Sequence, residues 1–188
     1  MANRSNHYEA AFESYLRAER IPYVAVDEQR RSLSPNGSLK NVDFILSPEA
    51  WRGDAGVSWL IDVKGRRFPS GRRNKQYWRN WVPEEELRSL LDWSCRFGPG
   101  FDAALVFAFH LVGDRSPVPP QQVHYHRDEP YAFVAAPLEA YRGVARTLSP
   151  RWGTVSAPVA EFRRLATPIH QLICQSSCAE VTLETSAE

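Results

Sequence analysis

The stretch that decides the fold is Trp59-Leu60-Ile61-Asp62-Val63-Lys64, an apolar run that ends in two charged residues. Because side chains alternate along a strand, Asp62 and Lys64 would share one face while Ile61 and Val63 share the other. Charged side chains seldom lie beside a core strand unless they are paired or bind a ligand. The stretch therefore predicts a buried strand that carries a functional pair of charges.

A second carboxylate, Asp43, lies within another apolar run, residues 42–46. Two carboxylates and a lysine that converge from adjacent strands can hold a hard divalent cation and a water molecule. The alternative for Asp62 and Lys64 is a surface ion pair on an edge strand. The alternative for Asp43 is a turn residue, since Lys40-Asn41 precedes it. We expect a site role because Asp43 supplies the partner position independently.

The composition excludes several classes of protein. The chain has 188 residues, 43% hydrophobic and 24% charged, which suits one soluble domain with a full core. Its net charge of +1 means that affinity for nucleic acid must come from local clusters of basic residues. No stretch is apolar enough for a signal peptide or a membrane span. We therefore expect a cytoplasmic protein without membrane contact.

Two groups of metal-ligating residue types are weak candidates for a zinc site. Cys174 and Cys178 would face one way on a helix, but two further ligands nearby in sequence are missing. With Cys95 they make an odd, sparse set that does not fit a secreted disulfide framework. His124 and His126 alternate on a short strand without an evident third ligand, so we expect a structural role for them.

The predicted elements follow the order helix, three strands, helix, strand, then a short strand pair and further helices. The first three strands can form a meander, and the second helix then carries the chain to a fourth strand of a mixed α/β sheet. We expect one domain over residues 1–175 and a disordered tail over residues 176–188. The predicted bounds are a helix at about 6–20, strands at 23–26, 42–46 and 59–64, a loop at 65–75, a helix at 83–97, a strand at 103–111, a strand pair at 124–125 and 131–135, and helices at 137–147, 158–165 and 168–174.

This order and these residues resemble the PD-(D/E)xK nuclease superfamily, whose restriction-endonuclease-like core pairs an acid on the second strand with an acid-x-lysine on the third. Asp43 and Asp62-Val63-Lys64 fit those places, with Val42 where the family often has proline. The resemblance covers about residues 8–111 and is nearest to archaeal-type Holliday junction resolvases. The stretch from His7 to Glu13 also resembles the signature of the uncharacterised bacterial HYExAFE proteins, which implies no known activity.

The resemblance also implies a site. In the resolvases a glutamate on the first helix begins a register that lands here on Glu9. Glu9 lies at the edge of the apolar stripe of that helix, from which a carboxylate can reach the sheet, and the alternative is a solvated helix acid. The catalytic set would be Glu9, Asp43, Asp62 and Lys64. The implied cofactor is Mg²⁺ (or Mn²⁺), with Asp43, Asp62, the backbone carbonyl of Val63 and Glu9 as ligands.

A run of basic residues leaves the end of the third strand. Residues 64–81 contain no Asp or Glu, and aromatic residues are interleaved with the basic ones. Basic side chains contact phosphates, and aromatic rings can stack on unpaired bases. The alternative is a solvated loop whose aromatics pack on the core, and we expect Trp78 or Trp81 to be buried. The predicted nucleic-acid-binding residues are Arg66, Arg67, Arg72, Arg73 and Lys75.

These patterns together predict a metal-dependent nuclease that hydrolyses phosphodiester bonds, with DNA as its partner. A repair or structure-selective endonuclease is favoured over a restriction or defence nuclease, because nothing resembles an added specificity domain. The alternative from another class is a non-catalytic nucleic-acid-binding or interaction module on the same fold, since fold alone does not establish activity. The oligomeric state is left open, with a homodimer among the alternatives.

Overall fold

The computed structural model describes residues 6–26, 32–34, 37–47 and 57–175 of the chain. The predicted disordered tail at 176–188, and Cys178 within it, lie outside the described residues, as does the side chain of Cys174. The expectation of a single domain over 1–175 stays a prediction. The helices are α1 (His7–Ala18), α2 (Glu84–Phe97), α3 (Leu138–Val144), α4 (Val159–Leu165) and α5 (Ile169–Gln175). The strands are β1 (Tyr23–Ala25), β2 (Ser32–Ser34), β3 (Gly37–Leu39), β4 (Phe44–Leu46), β5 (Ser58–Phe68), β6 (Val82–Pro83), β7 (Phe101–Leu111), β8 (His124–His126), β9 (Glu129–Pro137), β10 (Arg146–Ser149), β11 (Thr154–Ser156) and β12 (Thr167–Pro168).

The main sheet has the strand order β1-β4-β5-β7-β9-β12, and β8 pairs with β9. The strands β1, β4 and β5 form an antiparallel meander. The strand β7 runs parallel to β5, which requires a crossover, and α2 lies within the connection between the two strands. Because β9 returns antiparallel to β7, the sheet is mixed. The predicted mixed α/β fold is confirmed.

Each face of the sheet is covered by its own set of helices. Leu60 of β5 packs in one apolar cluster with residues of α2, α3 and α4. Its neighbours Ile61 and Val63 pack in a second cluster with residues of α1 and α5. The alternation of side chains along β5 therefore assigns even-numbered positions to the α2 face and odd-numbered positions to the α1 face.

The strand β7 lies in the middle of this arrangement. Its residues from Ala103 to Phe109 are all buried, with Phe107 in the cluster of the α2 face and Val106 in the cluster of the α1 face. A strand covered on both faces needs apolar side chains at every position, which is why this run lacks polar alternation. The predicted central position of this strand is confirmed.

The strand β5 is longer than its sequence pattern predicts. It pairs with β7 through Phe68, so the predicted loop over residues 65–75 is wrong at its start. Gly65 continues the strand because it has no side chain where the ring of Tyr8 packs against the backbone. That contact fixes the first turn of α1 on the strand. Asn6 begins α1 by accepting a hydrogen bond from the backbone N–H of Tyr8 at 3.1 Å.

Two other regions differ from their predictions. The helix predicted over 137–147 ends at Val144, because the following residues form β10, which pairs with β11. The strand β11 in turn pairs with the distant β6. The strands β2 and β3, which the sequence did not predict, pair antiparallel. These strands have only two to four residues each, too few to show a periodic pattern.

Candidate active site

The pair Asp62 and Lys64 lies in the buried middle of β5, on the α2 face. Asp62 is 3% exposed and Lys64 is 6% exposed. The Nζ atom of Lys64 forms an ion pair with Oδ2 of Asp62. Two charges buried this deeply lose much of their hydration, which the ion pair offsets in part.

Asp43 reaches the same place from the strand next to β5. It directly precedes β4, and its backbone N–H donates to the carbonyl of Ile61 at 2.9 Å. Its Oδ2 atom accepts a hydrogen bond from the backbone N–H of Val63 at 2.6 Å. The carboxylate of Asp43 is therefore held at the residue between Asp62 and Lys64. The predicted residues Asp43, Asp62 and Lys64 therefore lie together on neighbouring strands.

Two further charged residues, Lys40 and Glu86, complete the cluster. The Nζ atom of Lys40 lies 3.2 Å from Oδ1 of Asp62 and 3.3 Å from Oε1 of Glu86. The other oxygen of Glu86, Oε2, forms an ion pair with Lys64. Positive and negative groups thus alternate around a closed ring, which we call the charge ring. Its members are Lys40, Asp62, Lys64 and Glu86.

The charge ring favours the charged forms of Asp62 and Lys40. Burial alone would raise the pKa of Asp62, but the ammonium groups of Lys64 and Lys40 outweigh it and hold that pKa below its usual value. Burial likewise works to lower the pKa of Lys40, but Asp62, Asp43 and Glu86 raise it well above its usual value. With Asp43 included, three carboxylates and two ammonium groups give the cluster a formal charge of −1.

The helix α2 places Glu86 and also holds the segment that carries Lys40. The indole Nε1 of Trp93 donates to the carbonyl of Lys40 at 2.8 Å. Glu86 lies four residues before the buried Leu90 and seven before Trp93, so it shares their side of the helix. This spacing is the sequence signal that could have identified Glu86. Lys40 lies in a polar segment and has no comparable signal.

Glu9 is placed differently from the other predicted catalytic residues. It lies in the first turn of α1, is 6% exposed, and accepts a hydrogen bond from Nδ2 of Asn6. The buried side of α1 packs on the opposite face of the sheet from Asp62 and Lys64. The contacts of the described residues bring Asp43, Asp62 and Lys64 together, and the site role of Glu9 stays a prediction.

The predicted nucleic-acid-binding residues divide into two kinds. The guanidinium of Arg66 donates to the carbonyls of Gly65 and Trp81 and lies 4.2 Å from the centre of the Trp81 ring. Burial lowers the pKa of Arg66 to about 10. This position gives Arg66 a packing role, and its predicted contact with phosphate stays a prediction. The exposed members of the predicted set are Arg67, Arg72, Arg73 and Lys75.

The tryptophans of the basic run also have distinct environments. Trp78 packs against the core through edge-on contacts with Phe68 and Phe109, with ring centres 5.8 and 6.1 Å apart. Trp81 is partly buried beneath the guanidinium of Arg66. The aromatics interleaved with the arginines therefore include residues that attach this segment to the core.

The residues of the cluster suit a hard divalent cation by their chemistry. Asp43 and Asp62 supply the carboxylate oxygens that Mg²⁺ and Mn²⁺ prefer. However, Lys40 and Lys64 lie against the two oxygens of Asp62. Among the described residues no group of three or more His, Cys, Asp or Glu side chains is arranged to hold a metal ion. A cation bound by Asp62 would therefore displace Lys40 from Oδ1.

The fold resembles that of a known nuclease. It matches the 1.6 Å structure of the Holliday junction resolvase Hjc from the archaeal hyperthermophile Archaeoglobus fulgidus, with a TM-score of 0.51 over 89% of this chain and 98% of that chain. The chain therefore shares the overall fold of that resolvase. The sequences are 14% identical, so the likeness shows the fold alone.

Comparisons by sequence found no match, either among family models or among curated proteins. The resemblance to the HYExAFE proteins therefore stays a prediction. Within the described residues, none of the helices has the length and apolar character that crossing a bilayer requires.

Proposed function

We propose that this protein is a metal-dependent nuclease that hydrolyses phosphodiester bonds in DNA, as a repair or structure-selective endonuclease. The observation that carries the proposal is the hydrogen bond from Val63 N–H to Asp43 Oδ2 at 2.6 Å. It ties the acid of one strand to the Asp62-Val63-Lys64 motif of the next. The resolvase-like fold supports the same activity class.

Each residue of the cluster has a role in this proposal. Asp43, Asp62 and the backbone carbonyl of Val63 would hold Mg²⁺ or Mn²⁺. When bound, such a cation neutralises charge on a phosphate and lowers the pKa of a water ligand. Lys64 supplies a compact ammonium charge that stabilises the negative charge developing on the phosphate oxygens. Glu86 holds Lys64 in place through its ion pair.

The predicted ligand role of Glu9 remains part of the proposal as a hypothesis of its own. The helix that carries Glu9 packs on the face of the sheet opposite to Asp62 and Lys64. To bind the cation, its carboxylate would therefore have to reach past an end or edge of the sheet. Glu9→Gln removes the charge with little change in size. An outer-sphere ligand predicts weaker Mn²⁺ binding in this variant, whereas a purely structural acid predicts unchanged Mn²⁺ binding and lower stability.

A specific observation favours the alternative of a non-catalytic nucleic-acid-binding module. Both oxygens of Asp62 face ammonium groups of the same chain, and the site is nearly closed to solvent. A charge ring that is complete without a cation can serve as a structural element of the fold. The two functions differ in whether the cluster opens to a cation and a phosphate.

The deciding experiment is cleavage of a DNA panel in Mg²⁺ or Mn²⁺, with duplex, single-stranded, flapped and four-way substrates. We expect cleavage of at least one substrate by the wild-type protein. Asp62→Asn should reduce the rate by roughly 10²–10³-fold or more, because it removes a charged ligand from the reacting centre. The matched control is Asp102→Asn, which changes an exposed acid on β7.

The outcomes separate the two functions. DNA binding by the wild-type protein without cleavage of any substrate in either cation would support the non-catalytic module. Equal cleavage by the wild-type protein and Asp62→Asn would show that the activity belongs to a contaminant or to another site. Loss of cleavage in Asp102→Asn as well would indicate damage to the fold rather than to the site.

A further inference from the structure

A second site lies on the opposite face of the sheet from the charge ring. A groove of about 470 Å³ forms where the first turn of α1 meets the far ends of β5 and β7 and the β8–β9 turn. In the register of the sheet, Arg67 pairs with His110, and His110 pairs with Tyr131. We call it the histidine groove and define it by His7, Arg67, His110, His126, Arg127 and Tyr131.

One wall of the histidine groove is aromatic. His110 stacks on Tyr131, with ring centres 5.1 Å apart and an angle of 22° between the planes. His7 meets His110 edge-on at 5.9 Å, and its Nδ1 lies 2.7 Å from the hydroxyl of Tyr131. The ring of Tyr8 extends this wall. Aromatic walls of this kind accept the flat face or edge of a nucleobase.

The lining of the groove also carries positive charge. The exposed guanidinium groups of Arg67 and Arg127 both line it. No ion pair involving either arginine occurs among the residues that the structure describes. The acid of the groove, Glu129, is engaged by His110, with Oε2 2.8 Å from Nε2. The groove therefore has two guanidinium groups available to an anion.

The protonation of the histidines in the groove depends on the charges around them. Burial lowers the pKa values of His7 and His126. For His7, His110 and His126 lower the pKa further and Glu129 opposes them; for His126, Arg127 lowers it further. The His126 imidazole is therefore less readily protonated in the free protein than an isolated histidine. A bound anion would raise its pKa, so binding would take up a proton.

We propose that the histidine groove binds a nucleotide through its phosphate, with Arg67 and Arg127 holding the phosphate and the aromatic wall contacting the base. The volume of the groove is within the range of small-ligand sites, about 300–1,000 Å³. The nucleotide can be free or can be the 5′-phosphorylated end of a DNA strand. The strand-end form rests on the proposed function, whereas the free-nucleotide form does not.

Calorimetric titration of the full chain in EDTA tests this proposal without any cleavage. The probes are thymidine 5′-monophosphate, thymidine and inorganic phosphate. We expect the monophosphate to bind roughly tenfold or more tightly than thymidine, because charge-assisted contacts to the phosphate are lost with the nucleoside. It should also bind more tightly than inorganic phosphate, which lacks the base.

The variant that removes the phosphate contacts is Arg67→Gln/Arg127→Asn. Asparagine is chosen because position 127 has a φ of 51°, a left-handed conformation that asparagine tolerates. This variant should lose roughly tenfold or more in affinity for the monophosphate and none for thymidine. The matched control, Arg142→Gln, lies on α3 at the other face of the sheet and should bind as the wild type does.

A pH series separates a histidine-lined site from a merely basic surface. Its probe is the monomethyl ester of the nucleotide, whose charge is constant between pH 6 and 8. Affinity should rise as the pH falls, because the His126 imidazole gains a proton on binding. In His126→Gln this dependence should flatten. Unchanged pH dependence in that variant would overturn the role given to His126.

Two oligonucleotides distinguish the sources of the nucleotide. A single strand with a 5′-phosphate should bind more tightly than its 5′-hydroxyl counterpart, and Arg67→Gln/Arg127→Asn should abolish the difference, if the ligand is a strand end. A difference seen only with the free monophosphate identifies a free nucleotide. Equal binding of monophosphate and thymidine, or full binding by the arginine variant, would overturn the proposal. Neither result depends on cleavage at the charge ring.

Discussion

At the scale of single residues, Lys40 decides whether a cation can reach Asp62. Its ammonium lies 3.2 Å from Oδ1 of Asp62, where it neutralises a carboxylate that a divalent cation would need. Lys40 and a cation therefore compete for the same oxygen. Neutralising Lys40 would change the formal charge of the cluster from −1 to −2 and favour the cation.

Lys40→Met should therefore bind Mn²⁺ roughly tenfold more tightly than the wild-type protein, as measured by calorimetry. Without a cation, the same variant should be less stable by about 1–3 kcal/mol, because Asp62 and Glu86 lose one buried partner. Lys75→Met, which removes an exposed lysine, is the control for both measurements. Equal Mn²⁺ affinity in the two variants would contradict the competition.

Asp62 makes the stability of the protein depend on pH. Its pKa in the folded state is held below the usual value, so its contribution is complete above the pKa of the unfolded chain, about 3.9. The contribution is lost as the pH falls through the lower, folded-state pKa. Asp62→Asn should lower the free energy of unfolding at pH 7 by about 3–5 kcal/mol, because it leaves Lys40 and Lys64 facing each other.

Urea unfolding of Asp62→Asn and wild type between pH 2.5 and pH 7 checks this dependence. The difference between the two proteins should be constant near neutral pH and should narrow below about pH 4, as the wild-type carboxylate becomes protonated. Asp102→Asn is the control and should differ little from wild type throughout. A difference that stays the same down to pH 2.5 would mean that Asp62 contributes through its shape and not its charge.

The residue scale also shows what the sequence pattern could identify. Asp62, Lys64 and Asp43 were recognisable because charges interrupt apolar strand patterns, and burial makes such interruptions costly. Glu86 is absent from the predicted set, although its spacing to Leu90 and Trp93 places it on the buried side of α2. Glu9 was predicted from the resemblance and from its place at the edge of the apolar stripe of α1, and that helix packs on the other face of the sheet.

At the scale of elements, Gly65 controls how α1 lies on β5. A Cβ atom at this position would overlap Cδ2 and Cγ of the Tyr8 ring, so the ring or the start of α1 would have to shift. Gly65→Ala should therefore destabilise the protein by about 1–3 kcal/mol, as overpacking of a tight contact does. Thermal unfolding followed by circular dichroism measures the change.

A matched glycine serves as the control for this contact. Gly143 lies in α3 with open space around its Cα atom, so Gly143→Ala should stabilise the helix by about 0.5–1 kcal/mol. In Gly65→Ala, the additional replacement Tyr8→Ala should recover part of the loss by removing the overlap. If Gly65→Ala proves as stable as wild type, the packing of α1 on the strand is looser than described.

The elements that the sequence predicted are those whose pattern is local. The helices α1 and α2 repeat apolar residues at the helical period, and β7 is a nearly continuous apolar run. The strands β6 and β11 pair across about 70 residues, which no local pattern records, and β10 pairs with β11 over only a few residues. The end of β5 was predicted as a loop because Gly65, Arg66 and Arg67 are residue types typical of loops. In the structure, Tyr8 packs over Gly65, Arg66 lies over the Trp81 ring, and Arg67 lines the histidine groove.

At the scale of the whole molecule, positive charge is concentrated in local clusters. The net charge is only +1, yet the loop that follows β5 carries Arg72, Arg73 and Lys75, all exposed. Two backbone hydrogen bonds between Ser70 and Gln76, of 2.7 and 2.8 Å, close the base of this loop. A closed base presents the three cations together, which favours contact with neighbouring phosphates of one strand.

This arrangement predicts how DNA binding should respond to salt. In Arg72→Ala/Arg73→Ala, log affinity should fall less steeply with log salt than in wild type, by roughly one to two units of slope, since each phosphate contact contributes ~0.9 on duplex DNA. Affinity should drop about equally for every sequence, because phosphate contacts carry no base information. A salt titration of duplex binding in EDTA, where cleavage does not interfere, measures both effects.

The control for the salt titration is Arg142→Ala/Arg146→Ala, since both of these arginines pair with acids of their own surface, Glu139 and Glu161. Stability should change by less than about 0.5 kcal/mol in either variant, because the side chains are exposed. An unchanged slope in Arg72→Ala/Arg73→Ala would leave those arginines as solvated residues. If the slope falls in the control instead, DNA lies along α3 and β10.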